Sequence, residues 1–389
     1  MTIAIIVTAL LAAALLFHPM LRRRPLWRAT ITPLASIIGS GFLVLGPVLV
    51  HEFGVWAPAV MGLLCLLAWG FGAAIRANIA RIGEWPAPDS QAERIGGWVL
   101  SIAYMVSVAY YLNLLGSFAV SMTPWGDGIA GRLVTSGVYL LILVLGVWRG
   151  FEALESVEYP AVAIKLAVIV ALITALGIHA SDSYQAGNLQ SPVVHFHGWA
   201  GLTLVFGLLI TVQGFETSRY LFHSYSARQR IKSMKLAQAV SAIIYLVYVV
   251  LLTFAIAVPD DTVSETEIIS LMSQVAPVMA ILLVVAALAA QFSAAVADTG
   301  GAGGLLEEVS RKMFSERQGY IAVVVVGLIL TWMADVFTII AIASRAFALY
   351  YAVQCYIAAN HSEGNKRVLF GIMGGIGLGA ALLGTPVEG

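Results

Sequence analysis

The sequence predicts an all-α, polytopic membrane protein of about 12 transmembrane helices. Three observations lead there. Mean hydropathy is +0.91 and only 11% of the 389 residues are charged, a balance foreign to chains that fold in water. Apolar runs recur along the chain, most of them near the roughly 20 residues needed to cross a bilayer. Basic residues gather in every second loop, the pattern expected when cytoplasmic loops hold Lys and Arg.

The first run, 2–19, lies ahead of Arg22, Arg23, Arg24 and Arg28. A signal peptide has its positive charge before the apolar core, so the reversed order predicts a retained helix with its N-terminus outside. Further runs lie at 29–50, 56–77, 97–122, 130–148, 157–178, 199–222, 236–258, 275–300, 319–334, 336–359 and 367–385. The run at 319–334 is short, and its boundary with the next is the least marked. Setting the 20–28 loop in the cytoplasm and alternating puts Arg76, Arg81, Arg94, Arg149, Arg219, Arg228, Arg230, Lys232, Lys235, Arg311, Lys312, Arg317, Lys366 and Arg367 inside as well. Arg132 alone falls outside. Both termini are then non-cytoplasmic, and a bacterial inner (cytoplasmic) membrane is the expected location. The outer loops carry Asp182, Asp260, Asp261, Glu265 and Glu267, and 262–273 reads as a short amphipathic helix over that face.

The formal net charge of zero gives no basic excess for nucleic acid. Cys65 and Cys355 sit in apolar runs and read as buried free thiols, not as a disulfide framework or a thiolate metal site. His195 and His197 are a weak metal hint and read as loop residues. No serine–histidine–acid set, Walker motif or zinc-binding run is present, and neither enzyme chemistry nor a cofactor is expected.

Two runs contradict their own helicity. The first, 29–50, holds Gly39-Ser40-Gly41 near its middle and Gly46-Pro47 beyond. Glycine leaves the backbone free and offers no side-chain packing. A broken helix in lipid survives only where protein or a solvated cavity satisfies the freed N–H and C=O groups. The stretch therefore reads either as a binding break or as a tight helix crossing. The second, 199–222, holds Val212-Gln213-Gly214-Phe215-Glu216. A carboxylate at that depth is costly without a cavity or a partner, and Glu216 is a functional candidate on that ground. Four intact runs separate the two. Two halves of five helices, 29–178 and 199–359, each opening on a break, match the inverted-repeat plan of many secondary transporters. The segments 1–28 and 360–389 flank them. Half-helix N-termini suit an anion, and freed carbonyls suit an ammonium or cation.

Ile38-Gly39-Ser40-Gly41-Phe42 with Gly46-Pro47, and Gln213-Gly214-Phe215-Glu216 leading into the basic stretch 228–235, resemble the first- and sixth-helix signatures of the amino acid–polyamine–organocation (APC) superfamily. Gly150-Phe151-Glu152 and the stretch 300–307 are similar to further parts of that pattern. The resemblance implies the LeuT-type fold, alternating access and a small-molecule substrate between the two broken helices. An amino acid's carboxylate would meet the backbone at Gly39, Ser40 and Gly41, and its ammonium the carbonyls near Val212, Gln213 and Gly214, with Phe215 alongside. The chain departs from the pattern in an extra first helix, a single helix after the tenth core helix, and Arg345 within that tenth helix.

Other polar groups fall inside the runs. Lys165 either stands where relatives resembling proton-coupled members carry a lysine, or snorkels to the headgroups. Asp298 shares a helix face with Gln291, seven residues away. It is a candidate partner for Lys165, or a sodium ligand with Ser293 and Thr299, or a helix-end carboxylate. Arg345 needs an acid, with Glu216 and Asp298 as candidates, so the four form a candidate coupling set. Tyr110, Asn113, Ser117 and Ser121 recur at helical spacing, with Tyr104, Ser107 and Tyr111 on an adjoining face. They read as cavity lining or as interhelical polar contacts. The expected function is proton-coupled symport of a small zwitterionic or cationic solute, foremost an amino acid. An inorganic-cation transporter and a non-transporting sensor or scaffold are the alternatives.

Overall fold

Several helices in this protein begin at capping residues or prolines, and several end where glycine or extended backbone intervenes. The computed structural model describes residues 1–39, 41–83, 90–124, 129–149, 158–196, 198–221, 224–259 and 263–387, which contain helices and no strand. Ser40, the 150–152 motif, His197, Asp260, Asp261 and the first residue of the expected 262–273 helix lie outside the described residues.

The chain opens with α1 (Thr2–Phe17), a single turn Pro19–Arg22, α2 (Pro25–Ile37), α3 (Gly41–Phe53), α4 (Ala57–Ile82) and α5 (Gln91–Val120). It continues through α6 (Ile129–Arg149), α7 (Glu158–Gln185) and α8 (Gly198–Gly207). A 3-10 turn, Leu209–Val212, and a one-turn helix, Thr217–Tyr220, lead to α9 (Ala227–Ala255). The remainder is α10 (Glu267–Val275), α11 (Pro277–Val309), α12 (Glu316–Met333), α13 (Val336–Asn360) and α14 (Gly364–Leu383). Ser226 with Gln229 and Ser315 with Gln318 form reciprocal capping boxes ahead of α9 and α12. Asp335 caps α13 through Thr338 N at 2.8 Å, which fixes the boundary between α12 and α13. Inside α3, Pro47 has no N–H to offer Leu43 O, and Tyr248 Oη donates to that carbonyl at 3.4 Å.

Among the described residues, eight helical stretches are long and apolar enough to cross a membrane, with Gly41–Ile82 counted as one. Thr2–Phe17 and Gly198–Gly207 are apolar but shorter. The two broken runs divide into pieces, and the first run forms the 16-residue α1. Elsewhere helices outrun the apolar stretches at polar ends. The 236–258 run belongs to a helix starting at Ala227, and the 275–300 run to one ending at Val309. At α9 the added end is closed by the Ser226–Gln229 capping box. The amphipathic helix starts at Glu267 and ends at Val275, with Ile268, Ile269, Leu271 and Met272 turned inward.

The core gathers on α5, whose apolar window is 89% buried. It packs against α6, α11, α12 and α13. On the other side α9 lies against α2 and α4, while α1 rides on α7 at the periphery. The two breaks are enclosed between these groups.

Candidate functional site

The first break follows from Ile38, whose backbone (φ −83°, ψ 59°) leaves the helical region and ends α2. The last carbonyls of a helix have no partner within it. Here they are taken up by side chains from distant helices. Lys165 Nζ on α7 donates to Ala35 O at 2.8 Å, and Tyr245 Oη on α9 lies 2.6 Å from Ile37 O. The chain becomes helical again at Gly41, where an added Cβ would collide with Tyr110 Oη.

The second break is longer. After α8 ends at Gly207, the 3-10 turn runs to Val212, Gln213 is extended (ψ 177°), and Gly214 takes φ +113°. That φ belongs to glycine. Ser344 on α13 stitches the start of the break, donating to Gly207 O at 2.6 Å and accepting from Ile210 N at 2.9 Å.

The breaks touch. Tyr245 Oη, 2.6 Å from Ile37 O, is also 2.8 Å from Thr211 O, so one hydroxyl spans carbonyls of both. A Cβ on Gly214 would stand 2.6 Å from Ser36 C and Ile37 N, so the second break packs backbone to backbone on the end of α2. Val212, Ile37 and Tyr245 line a small void with Cys65, Ala68, Gln238, Ser241 and Ala242.

Glu216 is fully buried beside this junction. Its Oε2 accepts from Tyr351 Oη at 2.9 Å and from Gly214 N at 3.0 Å, while Oε1 has no hydrogen-bond partner. A buried carboxyl oxygen in that position is open to a proton or to a cation. Phe215 and Phe71 flank Tyr351 with ring centroids 5.1 and 5.0 Å away, which fixes the phenol against the carboxyl. Asp298 on α11 is buried too and accepts from Ser107 Oγ on α5.

Residues 19–384, which hold this whole arrangement, match the model of a family described as APC superfamily transporter. The chain belongs to the APC superfamily of transporters. It is also 41% identical over 366 residues to an uncharacterized protein of Aquifex aeolicus (strain VF5), covering 91% of this chain and 89% of that one.

Within the transporter, Gly39, Gly41, Val212, Gln213, Gly214, Phe215, Tyr110 and Glu216 converge on the two breaks, and Lys165 reaches the first through Ala35. Gln213 Nε2 donates to Tyr111 Oη at 3.0 Å. Asn113 turns elsewhere: its Nδ2 donates to Ala109 O and to Thr331 Oγ1 on α12, both at 2.8 Å, an interhelical polar contact. Thr299 Oγ1 donates within α11 to Ala295 O at 2.6 Å, and Ser293 is half-buried.

Arg345 corrects an expectation. It is exposed and pairs with neither Glu216 nor Asp298. Its Nε and Nη2 donate to Ala381 O and Leu382 O, at 2.9 and 3.4 Å. One residue around the helix from Ser344, it faces α14 and serves the carbonyls that α14's C-terminus leaves open.

Tyr245, Tyr351 and Ser344 escaped the sequence reading. Each lies in an apolar run, where a tyrosine or serine destined for a break looks like any other core residue. A further group ties the helix ends that carry Arg81, Glu93 and Arg219. Glu93 accepts from Arg219 at 2.6 Å and from Arg81 at 3.1 Å, and Gln354 accepts from Arg219 and from Asn78, the latter at 2.9 Å.

Proposed function

We propose that the transporter is a secondary carrier that couples proton movement to transport of a small zwitterionic or cationic organic solute, foremost an amino acid, by alternating access. The observation that carries this reading is the meeting of the two breaks beside a buried, half-satisfied Glu216. Such a junction offers two kinds of backbone group. The N-terminus of α3 presents N–H groups to a carboxylate, and the interrupted segment at Val212–Gly214 presents carbonyls to an ammonium. Both belong to helices able to move as half-helices, and this couples occupancy to the path on either side.

Glu216 is the proton carrier in this reading. Tyr351 and Gly214 N hold Oε2, and a proton occupies Oε1. Gain or loss of that proton changes the charge at the junction. It thereby changes what Gly214, and through it the end of α2, can accept. Lys165 and Asp298 are second-rank coupling groups. Lys165 controls the end of α2 through Ala35 O, and Asp298 reports to α5 through Ser107. The 5+5 LeuT-type plan over 29–178 and 199–359, flanked by α1 and α14, fits this assignment. So does residence in a bacterial cytoplasmic membrane with both termini outside.

The test is uptake into proteoliposomes under an imposed pH gradient. Glu216→Gln is expected to abolish gradient-driven accumulation while leaving exchange of internal for external solute. Full gradient-driven accumulation by that variant removes Glu216 from the coupling role.

A further inference from the structure

Gln291 on α11 is fully buried, and neither its Nε2 nor its Oε1 has a hydrogen-bond partner. Buried polar groups are nearly always satisfied, so a side-chain amide with both halves orphaned calls for a reason. Gln291 is seven residues from Asp298 and shares its helix face.

The packing shows where that face looks. Ser101 Oγ on α5 donates to Ala302 O, and Ser107 to Asp298, so the two helices run antiparallel. Continuing this register sets Gln291 opposite Leu114, about one helical turn beyond Tyr111. Tyr111 is the residue whose Oη accepts from Gln213 in the second break. Gln213 Oε1 is itself buried without a partner. On this register the unmet donor and acceptor of Gln291 fall about one helical turn from Tyr111, whose partner Gln213 carries the third unmet group. No charged side chain supplies them.

We infer that Gln291, together with Gln213, recognises the side group of the transported solute, and that this side group is uncharged and hydrogen-bonding, an amide or a hydroxyl. The inference rests on the transport reading above and adds the substrate class to it. An amide or hydroxyl brings both a donor and an acceptor and satisfies both halves of Gln291. An aliphatic or thioether side group of equal length has no such donor or acceptor and leaves all three groups orphaned. A site built around hydrogen-bonding groups discriminates in this way against the analogue that lacks them.

The experiment compares uptake of glutamine and of methionine, similar in length, by proteoliposomes carrying wild type or Gln291→Met. Wild type is expected to favour glutamine by about tenfold or more in kcat/KM, the worth of one to two net hydrogen bonds. Gln291→Met is expected to bring the two rates together while methionine is still taken up. Its thermal stability without solute should hold or rise, because a buried amide with no partner has been removed. Equal wild-type uptake of the two, or an unchanged ratio in the variant, overturns the inference and leaves the transport reading standing. Failure of wild type to take up any amino acid overturns the inference and, with it, the choice of an amino acid as the solute. Should Gln291→Met not fold, the wild-type ratio decides alone.

Discussion

Replacing Tyr245 by phenylalanine isolates the hydroxyl that joins the two breaks. The ring stays, and with it the packing on Phe42, whose centroid is 5.4 Å away. What is lost is the group 2.6 Å from Ile37 O and 2.8 Å from Thr211 O, on a side chain only 1% exposed. One hydroxyl proton serves two buried carbonyls. Removing it leaves a buried acceptor unsatisfied, at about 1–3 kcal/mol. An unfolding entropy near 2 cal/mol/K per residue turns the middle of that range into a Tm fall of about 2.5 °C for a chain of 389 residues. Cys65 and Cys355 are free, so a thiol-reactive fluorophore reads unfolding directly. Tyr248→Phe is the matched control. It lies one turn along the same helix, but its hydroxyl meets Leu43 O at 3.4 Å, a weak bond, and its Tm change is expected to stay below about 1 °C. Uptake should fall in Tyr245→Phe and not in the control. If both variants melt and transport alike, the breaks are not held together through this phenol, and the junction argument is wrong.

Three further outcomes are expected. Gly214→Ala puts a Cβ 2.6 Å from the α2 backbone at φ +113°, and strain plus overpacking of about 2–5 kcal/mol should abolish uptake; normal uptake with normal Tm would refute the close approach. Glu93→Gln strands Arg219, both side chains being 7% exposed in the pair, and a loss of about 3 kcal/mol is expected in the same melting assay; an unchanged Tm would show that Gln354 alone satisfies the guanidinium. Asp335→Ala removes the α13 cap at about 1 kcal/mol. Burial pushes the Asp335 pKa up, but hydrogen bonds from the Thr338 hydroxyl and the backbone push it further down, to a net position below the ordinary aspartate value. A lowered folded pKa gives stability that is present above the unfolded value and lost as pH falls through the folded one. Melting at a series of pH values should therefore show the Asp335→Ala deficit constant at neutral pH and closing only in strong acid.

The sequence by itself determined that the chain is an all-α membrane protein, and where two of its apolar runs come apart. Those are local properties. Hydropathy sums over consecutive residues, and Gly39–Gly41 and Gly214 weaken a helix wherever it is put. It also singled out Glu216, because a carboxylate in an apolar run is conspicuous without knowing its neighbours. Only the tertiary structure decided what each polar group faces. Asn113 and Tyr110 lie on one predicted face, yet Asn113 turns to Thr331 while Tyr110 stands over Gly41. Arg345 has the same credentials as Lys165 in the sequence, but one residue's rotation aims it at α14's open carbonyls instead of at an acid. Tyr245, Tyr351 and Ser344 became functional candidates because helices more than 100 residues apart in the chain bring them to the breaks. The physical reason is that a broken helix announces itself by its own composition. The partners that satisfy its freed carbonyls are ordinary residues, made special only by packing.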